Sequence, residues 1–262
     1  HAQYNNLITD EGIKDMKNTL KELNVTYNNK ITDKGISGLG LKILQANYNN
    51  SITSQGIKNM KLRKLSAEGN TKIGDEGIKD MSTMKELNAG HNISITNKGI
   101  SNMKLKVLNA SWNKNITDEG IRKMRLQTLN ASSNYLITDN GIKGMKNTLQ
   151  WLDATDNIFI TDKGIREMKL RVLHVGKNIS ITDEGIREMK KTLQILDASY
   201  NPFITDKGIL GMQIKILYAN NNTKITESGV KGIPLEELYA YDNKMITKEI
   251  LKENKTLKIY VG

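Results

Sequence analysis

Residues 170–189 read Leu-Arg-Val-Leu-His-Val-Gly-Lys-Asn-Ile-Ser-Ile-Thr-Asp-Glu-Gly-Ile-Arg-Glu-Met, and the way this stretch recurs decides the fold. Its pattern is Leu-x-x-Leu-x-Ala-x-x-Asn followed by Ile-Thr-Asp-x-Gly-Ile-x-x-Met, with Val175 here in the Ala place. The first Ile of this second segment falls at Ile8, Ile31, Ile52, Ile73, Ile95, Ile116, Ile137, Ile160, Ile181, Ile204, Ile225 and Ile246, in steps of 21 to 23 residues. A fixed period in this range marks stacked units that each bury one apolar edge against their neighbours. The alternation of Leu105, Leu108 and Ala110 reads as a short strand with its apolar side inward. Thr-Asp-x-Gly-Ile reads as the start of a short helix, with Thr as its cap and the acid at its positive end. Ile13 and Met16, three residues apart, are placed in the core, and the Met slot recurs at Met60, Met81, Met103, Met124, Met145, Met168, Met189 and Met212.

The segment Leu-x-x-Leu-x-Ala-x-x-Asn resembles the most regular part of leucine-rich repeat proteins. The following Ile-Thr-Asp-x-Gly-Ile resembles their cysteine-containing, F-box type subclass, with Asn in place of Cys. The resemblance implies an α/β solenoid, a horseshoe of about 11 repeats. It places a parallel β-sheet on the concave face and short helices on the convex face. It also implies partner binding, with a substrate-recognition or adaptor role. The expectation is one leucine-rich repeat domain over 1–262, drawn from a longer array, with an atypical last repeat at 246–262. In that repeat Ile250 takes the Gly place and Asn254 the Met place. Ala2 and Asn5 fit the Ala and Asn positions, so the chain is expected to open within a strand.

One Asn recurs at Asn28, Asn49, Asn70, Asn92, Asn113, Asn134, Asn157, Asn178, Asn201, Asn222 and Asn243. A buried Asn has to satisfy both amide hydrogens and its carbonyl, so the column reads as a structural ladder bonding the loops of adjacent repeats. Three of these residues (Asn49, Asn92 and Asn178) lie in Asn-x-Ser/Thr sequons, where a glycan would block folding. With no cysteine and no leader at the start of the chain, this favours a cytoplasmic location, a bacterial secreted effector or surface protein being the other reading. No run of apolar residues is long enough to span a membrane.

Function is expected on the outward side of the strands. The third strand position reads Asp153, His174, Asp197, Tyr218, Tyr239 over five repeats, and the residue before the ladder Asn reads Trp112, Ser133, Asp156, Lys177, Tyr200. Trp151 stands before the second Leu. Aromatic anchors beside charges are the usual composition of an interface centre. The candidate binding residues are therefore Trp112, Trp151, Asp153, Asp156, His174, Asp197, Tyr200, Tyr218 and Tyr239. Eight acids against Lys64 and Lys177 make this face about −6 in a chain of net charge +11. That combination favours a protein or peptide with basic residues at the contact, and it disfavours nucleic acid there. Two alternatives are an anionic polymer or membrane surface bound through the basic convex side, and end-to-end self-association of repeats. The row Asp153, His174, Asp197 has no nucleophile beside it and no third strong ligand, so no catalytic residue, metal site or cofactor is expected.

Overall fold

The computed structural model describes residues 2–17, 19–247 and 257–261. The chain divides into two compact units, 1–126 and 127–262. The first contains the parallel strands β1 (Glu22–Asn24), β2 (Ile43–Gln45), β3 (Lys64–Ser66), β4 (Glu86–Asn88) and β5 (Val107–Asn109), paired in chain order. The second contains β6 (Thr128–Asn130), β7 (Trp151–Asp153), β8 (Val172–His174), β9 (Ile195–Asp197), β10 (Ile216–Tyr218), β11 (Glu237–Ala240) and β12 (Lys258–Val261), also parallel and in order. Most strands are only three residues long, and the flanking apolar residues serve the core from outside them. Leu105 and Ala110 are buried but lie outside β5. At the start, Ala2 and Tyr4 donate ladder-type bonds to Asn24 O and Thr26 O without forming a strand. The Ile250 and Asn254 positions of the last repeat lie outside the described residues.

Each repeat contributes one thin apolar layer. Leu170, Leu173, Val175, Ile181, Ile186 and Met189 of a single repeat are all at most 1% exposed. The helices, such as Asp162–Ile165 and Asp183–Ile186, are a single turn. One turn of helix is not stable alone, so burial of its Ile rather than helix propensity holds it. The Met column is core from Met81 onward but not throughout: Met16 is 43% exposed and Met60 half-buried. Met60 lines a surface groove with Ser37, Gly38, Leu39 and Gly40. The two glycines of the preceding repeat supply no side chain to cover it.

Within each unit the Asn column is a set of inter-repeat bonds. Asn178 Nδ2 donates to Ala154 O, Asn157 O and Ile160 O of the preceding repeat, while its Oδ1 accepts from Ser180 N (2.8 Å) and Ile181 N (3.0 Å). Asn28 through Asn243 are all at most 3% exposed. Asn5 is exposed, and its Oδ1 accepts from Leu7 N.

A second ladder runs along the helix starts. Thr182 donates its N–H to Asp162 Oδ1 and its hydroxyl to Asp162 Oδ2, both at 2.7 Å. Thr182 Oγ1 in turn accepts from Glu184 N and caps its own helix. The same pair recurs at Asp10–Thr32, Asp33–Thr53, Asp75–Thr96, Asp139–Thr161, Asp183–Thr205 and Asp206–Thr226. The acid thus does more than complement its own helix dipole: it clamps the cap of the next repeat. Thr9 makes no side-chain cap.

Candidate functional site

In the second unit the register aligns Asp153, His174 and Asp197 across β7, β8 and β9, with Trp151 beside Val172. Parallel strands about 4.8 Å apart bring these side chains within reach of one another. The Trp151 and His174 rings lie 5.5 Å apart, tilted by 49°. His174 leans to one side: its Nδ1 is 3.7 Å from Asp197 Oδ2, each side chain about a quarter exposed. Asp153 Oδ1 accepts from Thr155 N (2.9 Å), and Asp197 Oδ1 likewise accepts from Ser199 N (2.9 Å). Asn24, Asn88, Asn109 and Asn130 make the same bond in their repeats. One oxygen of each acid therefore supports a turn, which is why Asn or Asp predominates there. The second oxygen of Asp197 is the one nearest His174. Burial pushes the Asp197 carboxyl up. The neighbouring His174 and Ser199 together outweigh it and hold the group below the usual carboxylate range.

The residue before each ladder Asn is not an ordinary outward strand position. Trp112, Ser133, Asp156, Lys177, Tyr200 and Asp242 have φ between 50° and 58°, as do Tyr27, Tyr48, His91 and Asn221, and Gly69 is at 61°. Asn178 N bonds Val175 O across this residue, closing a turn whose third position needs positive φ. An aromatic or other bulky L-residue in this region is strained. The N–H of the strained residue donates to the next repeat, as in Asp156 N to Gly176 O (2.8 Å) and Tyr200 N to Asn220 O (2.9 Å). The side chains then reach along the stack. Asp156 accepts from Ser133 Oγ (3.0 Å) and Tyr135 OH (2.9 Å), and Lys177 Nζ sits 5.4 Å over the Tyr200 ring.

The remaining expected site residues fall into separate clusters. Trp112 belongs to the first unit, is half exposed, and stacks on His91 at 5.4 Å. Tyr218, Tyr239 and Tyr260 form a continuous stack with ring centres 4.5 Å apart. Tyr239 OH donates to Glu237 Oε2 (3.0 Å), and this bond to a carboxylate pushes its phenol up to about 12. A raised folded value means that stability from this group is complete below the unfolded tyrosine range and is lost as pH rises through about 12. Spectrophotometric titration is expected to show one late phenolate that is absent in Tyr239→Phe. An unchanged late phase in that variant would refute the assignment. Among the described residues no three His, Asp or Glu side chains converge as a metal site.

Sequence reasoning missed a further row. The one or two residues after the ladder Asn are apolar and exposed in four successive repeats of the second unit: Leu136, Ile158, Phe159, Ile179 and Phe203, each 41–55% exposed, with Tyr135 beside them. The corresponding loops of the first unit are mixed: Asn-Lys at 29–30, Asn-Ser at 50–51 and Thr-Lys at 71–72 are polar, while Ile93 is apolar and 58% exposed. The recurrence of apolar residues in four successive loops is the signal that would have found the row.

The leucine-rich repeat family model matches residues 17–40, 58–82 and 101–124. An internalin from Listeria monocytogenes superposes with a TM-score of 0.66 at 25% identity, over 95% of this chain and 82% of that one. The fold is a leucine-rich repeat solenoid. Two further leucine-rich repeat neighbours share the fold. One is TLR13, solved in complex with ssRNA13, with a TM-score of 0.63 at 20% identity over 93% of this chain and 38% of that one. The other is the yeast Rad7–Elc1 complex, with a TM-score of 0.61 at 15% identity over 98% of this chain and 85% of the other. No curated protein matches the sequence. Among the described residues of this leucine-rich repeat chain, no helix is long and apolar enough to cross a membrane.

Proposed function

We propose that this leucine-rich repeat chain is a non-enzymatic binding module whose second unit grips a protein or peptide. The observation that carries the reading is the exposed apolar row at Leu136, Ile158, Phe159, Ile179 and Phe203, in the three repeats of Trp151, His174 and Asp197 and the one before them. A monomeric surface rarely exposes contiguous apolar side chains without a partner for them. The acids Asp153, Asp156 and Asp197 favour basic residues on that partner, which would be apolar at its centre. The structural neighbours support the reading to the extent that Rad7 was crystallised with a protein, Elc1. An adaptor or substrate-recognition role rests on the subclass resemblance of the Ile-Thr-Asp-x-Gly-Ile segment.

The test is affinity capture with quantitative mass spectrometry, followed by titration of the captured partner. Trp151→Ala, Asp197→Lys and Phe159→Ser are each expected to weaken binding by about 2 kcal/mol, the size of a true hot spot, with the melting profile retained. Arg166→Glu on the helix side is the control. Loss of binding in the control, with the three face variants binding normally, would move the functional surface to the helices.

A further inference from the structure

We infer that the first unit carries a second binding surface, a basic file along the start of its sheet that fits a linear anionic polysaccharide. Lys21, Lys42, Arg63, Lys85 and Lys106 each stand immediately before a strand, β1 to β5 in turn, and all five are exposed. Their backbones are tied in sequence: Lys42 N to Lys21 O, Arg63 N to Lys42 O, Lys85 N to Arg63 O and Lys106 N to Lys85 O, at 2.7–2.9 Å. Neighbouring positions are thus fixed about 4.8 Å apart. Lys17, Lys61 and Lys104, a few residues earlier in the same repeats, are also exposed. None of the five is ion-paired to an acid among the described residues. Glu86, one position onto the sheet face, is already held by Lys64 at 2.9 Å.

The second unit shows that the fold does not require these charges. At the same position it carries Gln127, Gln150, Arg171, Gln194, Lys215 and Glu236, where Gln194 accepts from Arg171 and Glu236 from Lys215. Five like charges held in single file repel one another, and an anion with regularly placed charges relieves that repulsion. The segments bearing the file contain no Phe, Trp or Tyr. The rings Tyr27, Tyr48 and Trp112 of the first unit come after β1, β2 and β5 rather than before them, so a polymer lying along the file meets cations and no ring on which a base would stack. A flexible polymer with sulfate or carboxylate groups along its backbone needs only the cations.

The experiment is titration of the whole chain with a heparin-derived sulfated decasaccharide at two salt concentrations. The triple variant Lys42→Gln, Arg63→Gln, Lys85→Gln takes the residue that the second unit uses at this position. It is expected to lose roughly tenfold or more in affinity, with a shallower salt dependence. Lys34→Gln, Lys58→Gln, Lys98→Gln removes the same charge from the helix side and is expected to bind like wild type. Equal weakening by both triples, or no binding by wild type, overturns the proposal. So does a single-stranded oligonucleotide or a phosphatidylserine vesicle that binds more tightly than the decasaccharide and loses that binding in the first triple.

Discussion

Replacing Asn178 by Ala is expected to destabilise the second unit by about 3–6 kcal/mol. The side chain touches five backbone groups at once, three carbonyls of the preceding repeat and two N–H groups of its own loop. Ala154 O keeps a bond from Asn157 N, and Ser180 is half-buried, so these two groups are partly compensated. Asn157 O, Ile160 O and the Ile181 N–H lose the partner they have in the interior. Each buried polar group left unsatisfied costs about 1–3 kcal/mol. Asn178→Asp is the sharper variant, because it keeps the shape and changes only what is donated. An oxygen facing three carbonyls cannot donate, so the aspartate is expected to destabilise at least as much as alanine. Chemical denaturation midpoints together with hydrogen exchange at the Ile181 amide read the effect locally, which matters in an array whose repeats can open separately. A midpoint within experimental error of wild type for both variants would mean that the Asn column does not hold the repeats together.

The features legible in the sequence were those that one repeat displays by itself. The period, the buried Leu and Ile columns and the recurring Asn each follow from residue type at a fixed spacing. The Thr–Asp clamp was only half legible. Thr182 reads as a cap and Asp183 as a first-turn acid, but that Asp162 bonds Thr182 requires knowing how far one repeat is shifted against the next. The turn residue was misplaced for a related reason. Period-two alternation ends at Ser199, and counting Tyr200 as one more outward strand position carries the strand past its three residues, Ile195–Asp197. The chain has by then entered a turn of positive φ, and side chains there run along the stack. Met60 failed because its cover comes from the preceding repeat, where Gly38 and Gly40 stand. The apolar loop row is present in the sequence as Ile158–Phe159 and Pro202–Phe203, but loop residues lie outside the apolar periodicity that marks the core. Of the expected contact residues, Trp151, His174 and Asp197 meet on one surface, while Trp112 stacks within the other unit.

The same clamp makes glycine the most constrained small residue in the repeat, and Gly185→Ala is expected to cost about 3–5 kcal/mol. The reason is space, since Gly185 has an ordinary helical backbone. A Cβ built there would lie 2.3 Å from Asp162 Oδ1 and 3.1 Å from Asp162 Cα. The carboxylate is held in that place by its two bonds to Thr182. It could swing away only by giving up bonds to a charged group worth about 1.5–3 kcal/mol each. The backbone contact, which no rotamer change relieves, adds the cost of overpacking, about 1–3 kcal/mol. Gly35, Gly56, Gly164, Gly208 and Gly229 face the Asp of the preceding repeat in the same way, so the Gly of Thr-Asp-x-Gly-Ile exists to admit the neighbour's acid. A double-mutant cycle separates this cause from helix propensity, which would in any case favour Ala over Gly. With Asp162→Ala in the background, the clash with Oδ1 is gone and Gly185→Ala should cost markedly less than it does alone, leaving only the contact with Asp162 Cα. Strict additivity of the two substitutions in denaturation midpoints would show that the glycine is there for some reason other than the acid it faces.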